Sequence, residues 1–150
     1  MPYVRNKSIS VTITRKSGGN GYDFNLNENK GKGPVQRIKF QNKKHPGLMV
    51  YFNIRDPDNT GLTFQPVPAN ALWVKAPTGP GAPPPSCPTA ASKWDQFVPL
   101  SVEQAGTQLI AYFRNLDNDV HFRFALRFLD TNGTPVDYDP IGDGANGLRS

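Results

Sequence analysis

Six cations fall within fifteen residues: Lys30, Lys32, Arg37, Lys39, Lys43 and Lys44, interleaved with glycines and with Phe40. Ammonium and guanidinium groups at that density neutralise phosphates, so the segment is a candidate site for nucleic acid, another polyanion or an anionic protein surface. No RNP-type aromatic motif, zinc finger or helix-turn-helix accompanies it. Any nucleic-acid binding would therefore follow the phosphate backbone and not the base sequence. A second reading stands beside this one. Arg37 and Lys39 form the solvated face of a strand whose Ile38 and Phe40 point inward, and the other lysines keep a sheet edge from pairing with neighbours.

The remaining chemistry-bearing residues are scattered. A hydrolytic triad needs a base beside a nucleophile, and the two histidines, His45 and His121, lie in a cationic turn and at a strand start near Asp117 and Asp119. Cys87 sits in a proline-rich run with no adjacent cation to lower its pKa, and no Cys-x-His-x-Met spacing follows it to suggest copper. Asp130, Asp137, Asp139 and Asp143 read either as a calcium site outside the EF-hand pattern or as a solvated acidic rim, and the rim is the simpler account. Gly18-Gly-Asn-Gly21 opens no helix, so it is a turn and not a phosphate loop. The expectation is a chain that is not an enzyme and that carries no cofactor and no metal.

What the charge implies is a partner. Residues 1–55 hold eleven Lys and Arg against two acids, and residues 56–150 hold six against ten, so a net +5 conceals halves of +9 and −4. Opposite charge on different surfaces favours head-to-tail contact between copies or docking of a protein partner. Self-association through complementary charged surfaces is the leading expectation, and polyanion binding by Lys30 to Lys44 the alternative. The N-terminus has no apolar run of signal-peptide length and no segment is long and apolar enough for a spanning helix. With a single cysteine, no intrachain disulfide argues for secretion. These features suggest a cytoplasmic protein with no membrane partner.

The elements that must position these residues are strands. Ile9, Val11 and Ile13 alternate with Ser10, Thr12 and Thr14; Tyr22, Phe24 and Leu26 alternate with Asp23 and Asn25; Leu48, Val50, Phe52 and Ile54 repeat the pattern before Asp56-Pro57. Phe97 to Val102, Leu109 to Phe113 and His121 to Leu129 follow, the last with Phe122, Phe124, Leu126 and Phe128 on one face. Asp130-Thr-Asn-Gly133 marks a hairpin with a return strand from Thr134 to Asp139. Between them, Gln65 to Asp95 holds eight of the fifteen prolines and both tryptophans, and reads as one irregular loop. Trp73 and Trp94 either pin its ends to the core or form an aromatic binding surface. The glycine-rich tail after Asp139 reads as irregular. Length and pattern give one all-β domain over 1–150, a two-sheet sandwich of immunoglobulin-like or related topology with a Phe-rich core.

Leu126-Arg-Phe-Leu-Asp-Thr-Asn-Gly133, followed by Asp139-Pro140-Ile141, resembles the close of short bacterial proteins of unassigned function such as the DP-EP family. The resemblance covers about the last thirty residues, with echoes at Gly61-Leu-Thr-Phe64 and Cys87-Pro88. It implies a small bacterial β-sandwich and carries over no catalytic or binding residue.

Overall fold

The computed structural model describes residues 5–16, 21–28, 37–40, 47–75, 97–113, 121–138 and 141–144. It is an all-β sandwich of two sheets. The first sheet takes the order β2-β1-β4-β8-β7, from β1 (Arg5–Arg15), β2 (Tyr22–Glu28), β4 (Leu48–Arg55), β7 (Phe97–Glu103) and β8 (Gln108–Phe113). Its pairings are antiparallel except β1 with β4, which run parallel from Arg5↔Leu48 to Thr12↔Arg55. The immunoglobulin arrangement uses antiparallel sheets, so this central parallel pair distinguishes the present order from it.

The second sheet is organised around β9 (His121–Leu129). β5 (Thr63–Phe64) and β6 (Leu72–Lys75) pair along one side of β9, and β10 (Pro135–Tyr138) and β11 (Ile141–Gly144) follow one another along the other. β3 (Arg37–Phe40) runs parallel beside β11 and is the outermost strand on that side among the described residues.

The alternation in the sequence sets which faces meet. Ile9, Val11 and Ile13 of β1, Val50 and Phe52 of β4, and Leu109 and Ala111 of β8 are fully buried, and so are Phe124, Leu126 and Phe128 from the opposite sheet. Aromatic rings stitch the sheets together: Phe52 lies 6.0 Å from Phe124, and Phe97 meets Phe124 edge-on at 5.6 Å. Burying a phenylalanine side chain contributes roughly 1.5–3 kcal/mol, so this cluster is the main stabilising feature.

Two segments depart from the sequence reading. The stretch from Gln65 onward is not irregular at its start: a single helical turn, α1 (Pro68–Ala71), leads directly into β6. Prolines crowd both sides of Leu72-Trp-Val-Lys75 but none lies within it. Leu72 and Val74 bury against the core while β9 supplies the hydrogen-bonding partner strand. The tail likewise contains a strand, β11, despite two glycines in four residues. It lies between β9 and β3, and pairing on both sides offsets the weak strand preference of glycine.

The Asp130–Gly133 hairpin forms as expected, with a three-residue loop in place of a two-residue Asn-Gly turn. Gly133 N–H donates to the Asp130 carbonyl, Gly133 takes φ 81°, and Asp130 N–H donates to the Thr134 carbonyl. The Asp130 carboxylate accepts from the N–H groups of Asn132 and Thr134 at 2.8 and 2.9 Å, which fixes the loop.

Candidate binding surfaces

Of the six candidate cations, Arg37 and Lys39 stand on β3, and Lys30, Lys32, Lys43 and Lys44 lie outside the described residues. Register places Lys39 beside Asp143 of β11, and Asp143 beside His121 of β9. The basic first half and the acidic second half are thus woven into one sheet at this position. Two other carboxylates of the acidic tail have partners of their own. Asp130 is engaged by its own turn, and Asp137 accepts from Arg127 Nε at 3.0 Å. Among the described residues no three His, Cys, Asp or Glu side chains come together as metal ligands. Asp139, His45, Cys87 and Trp94 lie outside the described residues.

Trp73 points to the outer face of the second sheet, opposite Ala125, and the Arg127 guanidinium covers its ring at 3.8 Å. Only 9% of the residue is exposed, and its Nε1 is buried without a hydrogen-bond partner. A ring already capped by a cation is not a platform for stacking a ligand, so Trp73 anchors β6.

At one end of the sandwich the loop after β4 is closed by Asp56. Its carboxylate accepts from Thr60 N–H at 2.7 Å, Thr60 Oγ1 at 2.9 Å and Gly61 N–H at 2.9 Å. Partial burial works to raise the Asp56 pKa. The backbone and hydroxyl donors, with Arg15 nearby, outweigh it and hold the carboxyl below its ordinary value. Arg15 joins this loop to β1, donating from its backbone N–H to Asp58 Oδ2 at 2.9 Å and from its guanidinium to the Asn59 carbonyl at 3.3 Å. Each acceptor here is used internally, which marks a structural loop and not a vacant site.

The edges of the sheets differ more than their faces. β7 carries Pro99 and a bulge between Pro99 and Ser101 that turns Leu100 outward, 49% exposed. β3 carries Arg37 and Lys39; β10 is four residues long and begins at a proline; β5 and β6 are short. All are familiar ways of blunting an edge. β2 carries two acidic residues, Asp23 and Glu28, but none of the other devices. Tyr22–Glu28 is seven residues with no proline, no lysine or arginine and an unbroken register against β1. Among the described residues no strand pairs with its outer side.

Beside this edge the sandwich is closed by partly buried rings. Phe24 stacks on Tyr138 at 4.9 Å and on Phe128 at 5.3 Å, with Tyr22 tilted against it at 6.5 Å. The signal for this edge was present in the sequence as Tyr22-Asp-Phe-Asn-Leu-Asn-Glu28, a strand pattern without proline, lysine or arginine. Its significance depends on β1 having β4 on its other side and on no described strand pairing with β2 beyond it.

No known family model matches the chain, and no curated protein is significantly similar to it. No helix among the described residues is long and apolar enough to cross a membrane.

Proposed function

We propose that this chain is a non-enzymatic β-sandwich that acts as a binding or structural protein by associating with further copies of itself. The observation that supports this reading is the regular edge of β2, without proline, lysine, arginine or a bulge and without a paired strand among the described residues, beside the Tyr22–Phe24–Tyr138 rim. An edge strand offers a row of unpaired N–H and C=O groups, and natural sheets blunt such rows unless pairing is intended. Charge supports association less than strand geometry does. Lys39 and Asp143 occupy adjacent positions within one sheet, so the +9 and −4 of the two halves are partly interleaved. Light scattering after size exclusion tests the reading. Discrete oligomers that persist in high salt are expected, and a monomer at every concentration and ionic strength overturns it.

A second reading, polyanion binding, is favoured by one observation: Arg37 and Lys39 stand on a strand that is outermost among the described residues. It predicts affinity for heparin or an oligonucleotide that falls steeply with salt. Replacing Lys39, Lys43 and Lys44 with Glu would abolish that affinity.

A further inference from the structure

We infer that Asn132 is a covalent modification site, a spontaneous deamidation centre that the Asp130–Gly133 turn holds shut and that opening of the β9–β10 hairpin releases. The site lies on the second sheet and is independent of association through β2.

The chemistry follows from the dipeptide. Asn132 is followed by Gly133, whose missing Cβ leaves its own amide nitrogen open to approach by the preceding side chain. In an open chain that nitrogen attacks Asn132 Cγ. The N–Cγ bond forms, the Cγ–Nδ2 bond breaks, and the amide proton leaves with Nδ2 as ammonia, so that a five-membered succinimide remains. Water then opens the ring. Attack at Cγ yields aspartate, and attack at the main-chain carbonyl carbon yields isoaspartate, in which the chain runs through the former side chain. Water is the only co-reactant. Asn132 and Gly133 are both exposed, and among the described residues nothing lies within 4 Å of where a Cβ on Gly133 would stand. Solvent reaches the site, and packing does not obstruct it.

What obstructs it is the turn. Gly133 N–H donates to the Asp130 carbonyl at 2.9 Å, which puts Asn132 in the third position of a turn, and Gly133 takes φ 81° while Asn132 has no positive φ. This is a type I turn followed by a left-handed glycine, a geometry that sets ψ of the third residue at about 0°. At that angle the Gly133 nitrogen eclipses the backbone nitrogen of Asn132. Ring closure needs it to eclipse Cβ instead, a rotation of about a third of a turn about the Cα–C bond. The Asp130 carboxylate resists that rotation from both sides, accepting from Asn132 N–H at 2.8 Å and from Thr134 N–H at 2.9 Å. The bond to the Asp130 carbonyl also acts on the nucleophile. A donated N–H is harder to deprotonate, and the deprotonated amide is the attacking species.

Conversion weakens the turn that delays it. Aspartate at 132 sets a second carboxylate near that of Asp130, and isoaspartate adds a methylene to the main chain between the two N–H groups that Asp130 holds.

Peptide mapping of the full-length chain, aged at mildly alkaline pH with and without urea, tests this. It reads the mass gained when amide becomes acid, and isoaspartyl methyltransferase labelling reads the isomer. Asn132 is expected to convert at least about tenfold more slowly in the native chain than in the denatured one, because reaction waits on local opening. Asp130→Ala removes two bonds to a charged acceptor and should speed native conversion about tenfold, with the denatured rate unchanged. Asp130→Asn keeps an acceptor oxygen and should fall between. Thermal melting confirms that each variant folds. Equal rates at Asn132 in native and denatured wild-type protein, a native rate that neither variant changes, or a denatured chain in which Asn132 does not convert would each overturn the inference.

Discussion

The two margins of the five-stranded sheet are built on opposite plans. β7 interrupts its own edge twice, with Pro99 removing a donor and the adjacent bulge displacing the strand at Leu100. β2, four strands away, keeps an even register over its whole length and sets aromatic rings beside it. Both belong to the same sheet and cover the same core, so stability alone does not require them to differ. The contrast teaches that edges carry information of their own. A blunted margin is hindered from pairing with other strands, and one left regular beside an apolar rim lacks that hindrance.

Substitutions on the two sides should therefore separate folding from association. The largest effect is expected at Phe24→Ala, which removes the stacks on Tyr138 and Phe128. Loss of a partly buried aromatic should cost about 2–4 kcal/mol in denaturant unfolding, somewhat below the range for a fully buried ring, and association should weaken with it. Gly47→Ala acts on the side nearer β7. A Cβ there would run into the Tyr112 ring and hydroxyl, and Tyr112 is paired with Val98 of β7. Overpacking of this kind costs about 1–3 kcal/mol, with the oligomer size on light scattering unchanged once the variant is folded.

Smaller effects belong to the loops at the end of the sandwich. Asp56→Asn should lower stability by about 1–2 kcal/mol at neutral pH, because the charged acceptor for Thr60 and Gly61 is lost. The pH dependence has a definite sign. A carboxyl whose folded pKa is depressed adds stability that is fully present above its unfolded pKa and is lost as pH falls through the folded value. Acid titration of thermal stability should therefore be shallower in the variant than in the wild-type chain.

The smallest expected effect is a gain. Gln104, Ala105 and Gly106 form a left-handed turn between β7 and β8 with φ of 58°, 55° and 90°. An alanine in that region is strained by about 1–2 kcal/mol, which glycine relieves while giving back about 0.5–1 in chain entropy. Ala105→Gly should raise the unfolding free energy by about 0.5–1 kcal/mol and leave association untouched.

Much of the architecture was legible in the residues. Period-two alternation marked β1, β2, β4, β7, β8 and β9; in β4 and β8, for example, buried residues alternate with half-covered ones. β6 escaped because the prolines on either side dominate the composition of its neighbourhood, while its own four residues are strand-like and nearly all buried. β11 escaped because glycines give no side-chain pattern, and its order comes from two neighbours far away in sequence. The candidate surfaces were less legible for a related reason. Lys39 beside Asp143, and an outer side of β2 without a strand among the described residues, are facts of pairing between distant segments, and no local pattern encodes them. The Arg127–Asp137 pair was equally invisible as a pair, although both residues were visible as strand positions.

Hydrogen–deuterium exchange as a function of protein concentration tests the central claim most directly. If copies associate through β2, the outward-facing amides of Phe24 and Leu26 should become protected as concentration rises, while those of β7 exchange at a constant rate. Protection that appears at β7 with concentration, or β2 amides whose exchange is the same in dilute and concentrated solution, would contradict it.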